Sequence, residues 1–202
     1  MPQSGNFQGL RWREPETLKA RTYACGFCGD KVSSEKGYRI VDAHNAGNYG
    51  GTYICPSCLG GTFFPPHVDS QIPGSSFGNP VAHVPDALAT LYQEARSCTA
   101  NANYTASVLV CRKILMNIAV EQKAAEGLKF IEYVDYLSAQ GFVPPNGKQW
   151  VDHIRKKGNE ANHEITLMNA QDAKELIIFI EMLLKFIYEF PNLIPKPVSV
   201  TS

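Results

Sequence analysis

Neither positive nor negative charge predominates in this sequence. Lysine and arginine together number 19, and aspartate and glutamate also number 19, so the formal net charge of the 202 residues is zero. This balance excludes strongly basic proteins that bind nucleic acid through their overall charge, although it leaves room for a local basic patch. The chain also lacks internal repeats and low-complexity tracts. With 44% apolar and 19% charged residues, its composition is that of a globular protein.

A membrane-spanning run is lacking too. The longest apolar stretch, LIIFIEMLLKFIYEF, is interrupted by Glu181 and Lys185 and is shorter than the roughly 20 residues of a membrane span. The first residues, MPQSGNFQGLRWREPE, contain no apolar core of the kind found in a signal peptide. We therefore expect a soluble, cytoplasmic protein with no membrane partner.

Cysteine is present six times, and four of the six form two close pairs. CGFC holds Cys25 and Cys28, CPSC holds Cys55 and Cys58, and 26 residues separate the pairs. Two Cys-x-x-Cys turns are typical of a tetrahedral four-sulfur zinc site, in which no coordination position is left open for catalysis. The pattern predicts a structural Zn²⁺ that staples a segment too small to form its own core.

Other roles for the cysteines remain open in the sequence. A Cys-x-x-Cys pair can be redox-active, and His44 or His67 could replace one sulfur ligand. Cys98 and Cys111 fall among helical patterns, where we expect both to be buried core thiols.

The composition divides the chain into four segments. Residues 1–64 contain short β-like runs between turn residues and fit a zinc ribbon. Residues 65–84 are rich in Pro, Gly and Ser and indicate a linker or an irregular crossing loop. Residues 85–192 have helical periodicity, and residues 193–202 form a tail. Start and stop signals predict helices at 85–101, 104–126, 129–139, 146–164 and 169–190, with Asn103 and Asn169 as N-caps.

Aromatic and basic residues interleave in the first segment. The aromatic residues are Trp12, Tyr23, Phe27, Tyr38, Tyr49 and Tyr53, and they lie among Arg11, Arg13, Arg21, Lys31 and Arg39. Such residues can stack on bases and contact phosphates. The favoured interpretation is that the aromatic rings pack a small sheet and its contact with the helices.

One face of the predicted helix 146–164 is the candidate site of the helical segment. At about 100° per residue, Ile154 and Gly158 fall on an apolar face, where glycine lets a neighbouring helix approach closely. A separate face carries five polar residues, with a lysine just beyond them: Asp152, Arg155, Asn159, Asn162, His163 and Lys156. Asparagine is a poor helix former, so two on one face lower helix stability. The face is either a solvated surface or a small polar site.

Two other predicted helices contain residues that indicate a binding partner. Arg112 lies at the edge of the apolar stripe of 104–126, and a partly buried arginine needs a partner such as Glu94 or a bound anion. The last helix is apolar on most sides, which is typical of a helix that is central in a bundle or shared with a second subunit. We therefore expect a homodimer.

The helical segment resembles the HEPN superfamily of small helical domains. The stretches that carry the resemblance are PDALATLYQEA, SVLVCRKILMNIAV and IRKKGNEANHE, followed by the last apolar helix. Within the superfamily the chain is similar to a bacterial family that often occurs beside restriction and phage-defence proteins, some members of which carry an N-terminal zinc ribbon. The resemblance implies a mostly α fold, a five-helix HEPN-like bundle preceded by a small β zinc-ribbon domain.

Active HEPN domains are metal-independent ribonucleases that join the motifs of two protomers in one cleft. The resemblance implies His163 as general acid or base, Asn159 as the residue that orients the phosphate, and Arg155 as the group that holds charge on phosphorus. It further suggests substrate contacts from Arg112, Lys156 and Asn162. The sequence departs from the pattern at Gly158, where active members usually have arginine.

Three functions follow as expectations. The first is a dimeric endoribonuclease that acts on RNA in phage defence or a stress response. The second is a non-catalytic dimerisation module that binds nucleic acid or protein, with the ribbon as the contact surface. The third, favoured by the zero net charge, is an adaptor that binds a protein partner within a defence system.

Overall fold

A computed structural model describes residues 10–40, 50–143, 154 and 167–193. The chain divides into two compact units, Met1–Ser76 and Phe77–Ser202. The boundary lies inside the segment 65–84 that the sequence indicates as a linker. Within the described residues, no helix is both long and apolar enough to cross a bilayer.

The first unit is built on an antiparallel sheet of four strands in sequential order. The strands are β1 (Glu16–Ala24), β2 (Lys31–Ile40), β3 (Gly50–Ile54) and β4 (Gly61–Phe64). Tyrosine, threonine and phenylalanine recur in these strands and favour the pleated surface. The N-terminal sheet predicted from the sequence is confirmed.

Two local features shape this sheet. A Cβ atom at Gly37 would lie 2.0 Å from the carbonyl oxygen of Thr52, so the close approach of β2 and β3 requires glycine here. The pairing of β1 with β2 shifts register between Thr17 and Arg21, which makes a β-bulge in the edge strand.

Residues beyond β4 also belong to the first unit. The backbones of Phe63 and Ile72 exchange two hydrogen bonds of 2.8 Å. The side-chain amide of Gln71 donates to the carbonyl oxygen of Ala24 at 2.8 Å. These bonds fold the irregular segment after β4 back onto the sheet.

The second unit contains four α-helices within the described residues: α1 (Asp86–Ala100), α2 (Tyr104–Glu121), α3 (Phe130–Ala139) and α4 (Ala170–Leu184). A π-helical turn, Lys185–Glu189, and one further helical turn, Phe190–Leu193, follow α4. The predicted N-cap Asn169 accepts bonds from the backbone of Gln171 and Asp172 at 2.8 and 3.1 Å. Asp172 accepts in return from the Asn169 backbone at 3.0 Å, which completes a capping box.

A continuous apolar core fills this unit. α2 contributes Val108, Cys111, Leu115 and Ile118, all fully buried, and packs against α1, α3 and α4. α4 is buried around most of its circumference, which explains its apolar sequence. Ile154 is also fully buried and belongs to the same core.

The prediction of a five-helix bundle is wrong, because the described part of the chain forms four helices and the sheet. α2 ends at Glu121 rather than 126, since Lys123 takes a left-handed backbone (φ 80°) that helical geometry does not allow. The helical run expected to reach 190 changes to a π turn at Lys185. The predicted helix 146–164 lies outside the described residues except for Ile154.

Residues 77–82, here called the strap, are tied to the helices by two polar side chains, the buried Arg96 and the partly buried Glu181. Arg96 donates from Nε to the carbonyl oxygen of Phe77 at 3.0 Å and from Nη2 to that of Gly78 at 2.8 Å. Glu181 accepts from the backbone N–H of Asn79 at 2.8 Å and from its side chain at 3.0 Å. Burial alone would raise the pKa of Glu181, but hydrogen bonds from Lys185 and Asn79 hold it below its ordinary value.

A matched pair on α2 tests the core. Leu115 is fully buried and Leu109 is 45% exposed on the same helix. Leu115→Ala should lower the free energy of unfolding by about 2–5 kcal/mol through lost burial and a cavity, whereas Leu109→Ala should cost less than about 1 kcal/mol. Urea denaturation followed by the helical circular dichroism signal measures both, and equal losses would contradict this account of α2.

Candidate metal centre and candidate helical site

Two hairpin turns bring the four paired cysteines to one end of the sheet. Cys25 follows β1 and Cys28 precedes β2, while Cys55 follows β3 and Cys58 precedes β4. Because the β1–β2 and β3–β4 hairpins are joined through antiparallel pairing of β2 with β3, both turns emerge at the same end. The sheet therefore positions each Cys-x-x-Cys turn opposite the other.

The two turns share one backbone geometry. The N–H groups of Cys25 and Cys55 donate to the carbonyl oxygens of Asp30 and Gly60, each at 2.9 Å. The N–H groups of Gly29 and Leu59 donate to the carbonyl oxygens of Cys25 and Cys55, also at 2.9 Å. Gly29 and Leu59 both have left-handed backbones, with φ of 82° and 61°. Glycine adopts this conformation freely, whereas leucine is strained there.

A tryptophan supports the strained turn. The indole Nε1 of Trp12 donates to the carbonyl oxygen of Leu59 at 2.7 Å. The Trp12 ring also lies 5.8 Å from the ring of Tyr38, centroid to centroid. Tyr38 in turn donates to the carbonyl oxygen of Arg13. These contacts anchor the residues before β1 over the second Cys-x-x-Cys turn.

The four sulfur atoms lie at the spacing of a tetrahedral site. The Cys25 and Cys58 sulfurs are 3.7 Å apart, the Cys28 and Cys55 sulfurs are 3.8 Å apart, and all four lie within 4.8 Å of one another. Zinc–sulfur bonds of about 2.3 Å give tetrahedron edges of about 3.8 Å, whereas a disulfide needs about 2.05 Å. The cluster could therefore hold a metal ion, and the predicted ligands do converge.

The surroundings of the sulfurs lower the pKa of Cys25 but raise the pKa values of Cys28 and Cys58. Backbone N–H groups of Phe27 and Gly60 point at the Cys25 and Cys58 sulfurs, each at 3.4 Å. Burial raises the pKa of Cys28, and it raises the pKa of Cys58 to about 11 against the N–H of Gly60. Burial also acts on Cys25, but the N–H groups of Cys28 and Phe27 and the neighbouring thiols lower its pKa. A cation is needed to keep all four sulfurs deprotonated together.

His67, one of the two histidines suggested as alternative ligands, does not belong to this cluster. Among the described residues, the group that could hold a metal consists of the four cysteines. His67 is exposed in the segment after β4, and His44 lies outside the described residues.

The aromatic residues of the ribbon mostly pack its small core. Tyr23 and Phe64 are each 7% exposed and meet edge to face at 5.1 Å between centroids. Tyr53 meets Phe64 at 5.5 Å in the same manner. In this arrangement the aromatic rings pack the sheet, as the favoured interpretation of the interleaved pattern predicts. Tyr49 lies outside the described residues.

The candidate site on the helical segment is described in part. The predicted residues Arg155, Lys156, Asn159, Asn162 and His163 lie outside the described residues. Arg112 lies on α2, is 6% exposed, and holds its guanidinium carbon 4.5 Å from the centroid of the Phe130 ring. Burial lowers its pKa.

Two findings differ from the sequence interpretation of the helices. Arg96 on α1 is 7% exposed and binds the strap. The sequence contains a signal for the burial of Arg96, because helical spacing places it on the same face as Leu88, Tyr92 and Ala95. Cys111 is fully buried as expected, whereas Cys98 is partly exposed.

Most of the helical unit matches the model of a known protein family. Residues 93–196 match a family model described as a domain of unknown function (DUF4145). The chain belongs to the DUF4145 family. The matched region includes α2, α3 and α4 and excludes the four-cysteine cluster, so the ribbon is an addition to the DUF4145 domain. No curated protein and no solved structure matches the chain.

Removal of one sulfur tests the metal centre. Wild-type protein should carry about one zinc per chain, and Cys55→Ser should lose most of it, because three sulfurs cannot complete the tetrahedral set. Cys98→Ser is the matched control, since Cys98 lies on α1 outside the cluster and should leave the zinc content unchanged. Elemental analysis of the purified proteins measures both, and equal zinc content in all three would contradict the assignment.

The raised pKa values predict how metal affinity depends on pH. Because the pKa values of Cys28 and Cys58 lie above neutral, both groups are thiols before the metal binds, and binding must displace their protons. Affinity should therefore rise with pH around neutrality, by at least about two log units per pH unit. Competition with a chromophoric chelator at several pH values measures this slope, and a slope near zero would show that no protons are displaced.

Proposed function

We propose that this DUF4145 protein is a zinc-ribbon HEPN-like endoribonuclease that acts on cytoplasmic RNA in phage defence or a stress response. The observation that carries the proposal is the full burial of Ile154 in the core of the helical unit. Ile154 is the residue from which the sequence periodicity assigns an apolar face to this segment. The same periodicity assigns Arg155, Asn159 and His163 to a separate polar face.

The proposed chemistry uses side chains of the helical unit alone. The 2′-hydroxyl of RNA attacks the adjacent phosphorus, and the bond from phosphorus to the 5′-oxygen of the next nucleotide breaks. His163 takes the 2′-hydroxyl proton or supplies a proton to the leaving oxygen. Arg155 offsets the charge that develops on the phosphoryl oxygens, and Asn159 orients them. The products are a 2′,3′-cyclic phosphate and a 5′-hydroxyl.

The metal centre supports a division of roles within the proposal. Four cysteine sulfurs form a complete donor set for zinc, so a bound Zn²⁺ would have no position for water or substrate. Zinc is therefore proposed as a structural cofactor of the ribbon. The nuclease reaction is assigned to residues that need no metal.

A homodimer is part of the proposal, because two HEPN motifs are expected to share one cleft. The end of the helical unit exposes four large apolar side chains: Ile178, Phe186, Phe190 and Leu193, with exposures of 45%, 47%, 42% and 66%. Hydration of such a face is unfavourable, and a second copy of the chain would cover it.

A second candidate function is a non-catalytic dimerisation module that binds nucleic acid or a protein of a defence system. The burial of Arg112 favours it. This residue, which the resemblance suggested as a substrate contact, is 6% exposed and packs on Phe130. An arginine held in this way contributes to packing of α2 against α3 rather than to an open phosphate site.

A cleavage assay separates the two functions. Purified full-length protein should cut mixed cellular RNA without added divalent metal and leave 2′,3′-cyclic phosphate ends. His163→Ala should lower the rate at least about 100-fold, because general acid–base catalysis contributes on that order. Sequencing of ligated RNA ends measures the products.

Two controls make the assay decisive. His83→Ala changes an exposed histidine of the same unit and should leave the rate unchanged. Zinc content is measured after brief treatment with chelator, so that lost activity through ribbon unfolding is not mistaken for a catalytic metal. Well-folded, zinc-loaded dimer without cleavage, or cleavage that survives in His163→Ala, would reject the nuclease and leave the binding module.

A further inference from the structure

A concave groove lies on the ribbon sheet, distinct from the metal centre. Its volume is about 700 Å³, within the roughly 300–1,000 Å³ that is usual for ligand pockets. The lining residues are Leu18, Lys19, Ala20, Arg21, Thr22, Arg39, Gly50 and Tyr53. Three of these side chains are cations, and no carboxylate is among the lining residues that the structure describes. A groove of this composition favours an anionic ligand.

The β-bulge in β1 builds one wall of the groove. Between its paired positions, β1 advances from Thr17 to Arg21 while β2 passes only from Lys36 to Ser34. The additional residues of β1 bend away from the β1–β2 pairing, which changes the direction of their side chains. Tyr53 fixes this arch, because its hydroxyl donates to the carbonyl oxygen of Lys19 at 2.9 Å.

Arg21 is held in place by two aromatic rings. Its guanidinium carbon lies 4.1 Å from the centroid of the Phe64 ring and 5.9 Å from that of Tyr53. Stacking on an aromatic face restrains the guanidinium and leaves its in-plane N–H groups available as donors. Within the described ranges, no ion pair involves Arg21. Such a donor fork matches the oxygens of a phosphate group.

The other two cations are accessible to a competing anion. Lys19 is exposed in the bulge. Arg39 lies 3.8 Å from Glu16, but their side chains are 40% and 54% exposed, and an exposed pair of this kind contributes little free energy. A phosphate could therefore replace or join Glu16 at Arg39.

We infer that this groove binds the backbone of a single-stranded nucleic acid, with phosphates at Lys19, Arg21 and Arg39. Tyr53 lines the groove, is partly exposed, and offers a ring on which a base can stack. An acidic peptide would use the cations but not the ring. The inference goes beyond the proposed nuclease, because the ribbon would bind a strand whether or not the helical unit cuts it.

Salt dependence of binding tests the groove. Full-length protein carrying His163→Ala, which prevents cleavage, is titrated against a short fluorescent single-stranded RNA and its DNA counterpart over a series of NaCl concentrations. Each phosphate contact contributes about 0.7 to the slope of log affinity against log salt. The triple variant Lys19→Gln, Arg21→Gln and Arg39→Gln should therefore lower the slope by about 2 and the affinity about 100-fold near 0.1 M salt.

Matched variants guard against general effects of charge and folding. Arg11→Gln, Arg13→Gln and Lys31→Gln remove the same charge from the same unit outside the groove and should leave the slope unchanged. If the groove triple loses zinc or folds poorly, Lys19→Gln with Arg39→Gln keeps the Arg21 stack and should lower the slope by about 1.4.

Three outcomes would overturn the inference. The first is wild-type protein that fails to bind either oligonucleotide. The second is an equal loss in the groove and control triples, which would indicate bulk charge. The third is competition by polyglutamate as strong as by unlabelled RNA, which would indicate an acidic protein partner. Cleavage is read separately in protein with His163 intact, so the nuclease and the groove can fail independently.

Discussion

The convergence of four cysteine sulfurs is the constraint on which the ribbon depends. Its apolar core is small, with Tyr23, Val32 and Phe64 packed around the buried sulfurs of Cys25 and Cys55. Structural zinc sites in small domains contribute roughly 10–16 kcal/mol of apparent binding free energy, more than such a core can supply. Without a cation, the same sulfurs would be crowded thiols that hold the two hairpins together weakly. The bulge and the groove depend in turn on this sheet.

The helical unit is stabilised in another way. Its core is continuous across four helices, and the strap is held by Arg96 and Glu181, both of which satisfy several hydrogen bonds on the edge of that core. Buried polar groups of this kind contribute specificity because an unsatisfied donor or acceptor there would be costly. The ribbon and the helical unit therefore depend on different interactions for their stability.

Sequence patterns predicted the parts of the structure that arise from local spacing. The Cys-x-x-Cys pairs are local turns, so their convergence required only that two hairpins share a sheet. The cap at Asn169 and the starts of α1 and α2 are also local. The strap was not predicted, because Arg96 and Glu181 bind backbone groups about 20 and 100 residues away along the chain, which leaves no periodic signal. The end of α2 and the π turn at Lys185 depend on backbone conformations that helical periodicity does not encode.

The ribbon groove shows why interleaved aromatic and basic residues were ambiguous in the sequence. Tyr23 and Phe64 pack the core, as the packing interpretation required, yet Phe64 also provides the surface on which Arg21 stacks. One set of rings therefore serves both packing and the presentation of a cation, and only the register of β1 and the contacts of its bulge distinguish the two roles. Zero net charge is compatible with such a site, because a few oriented cations contribute locally to binding while the chain as a whole does not attract nucleic acid. Recognition of a strand would then depend on the geometry of the groove rather than on overall charge.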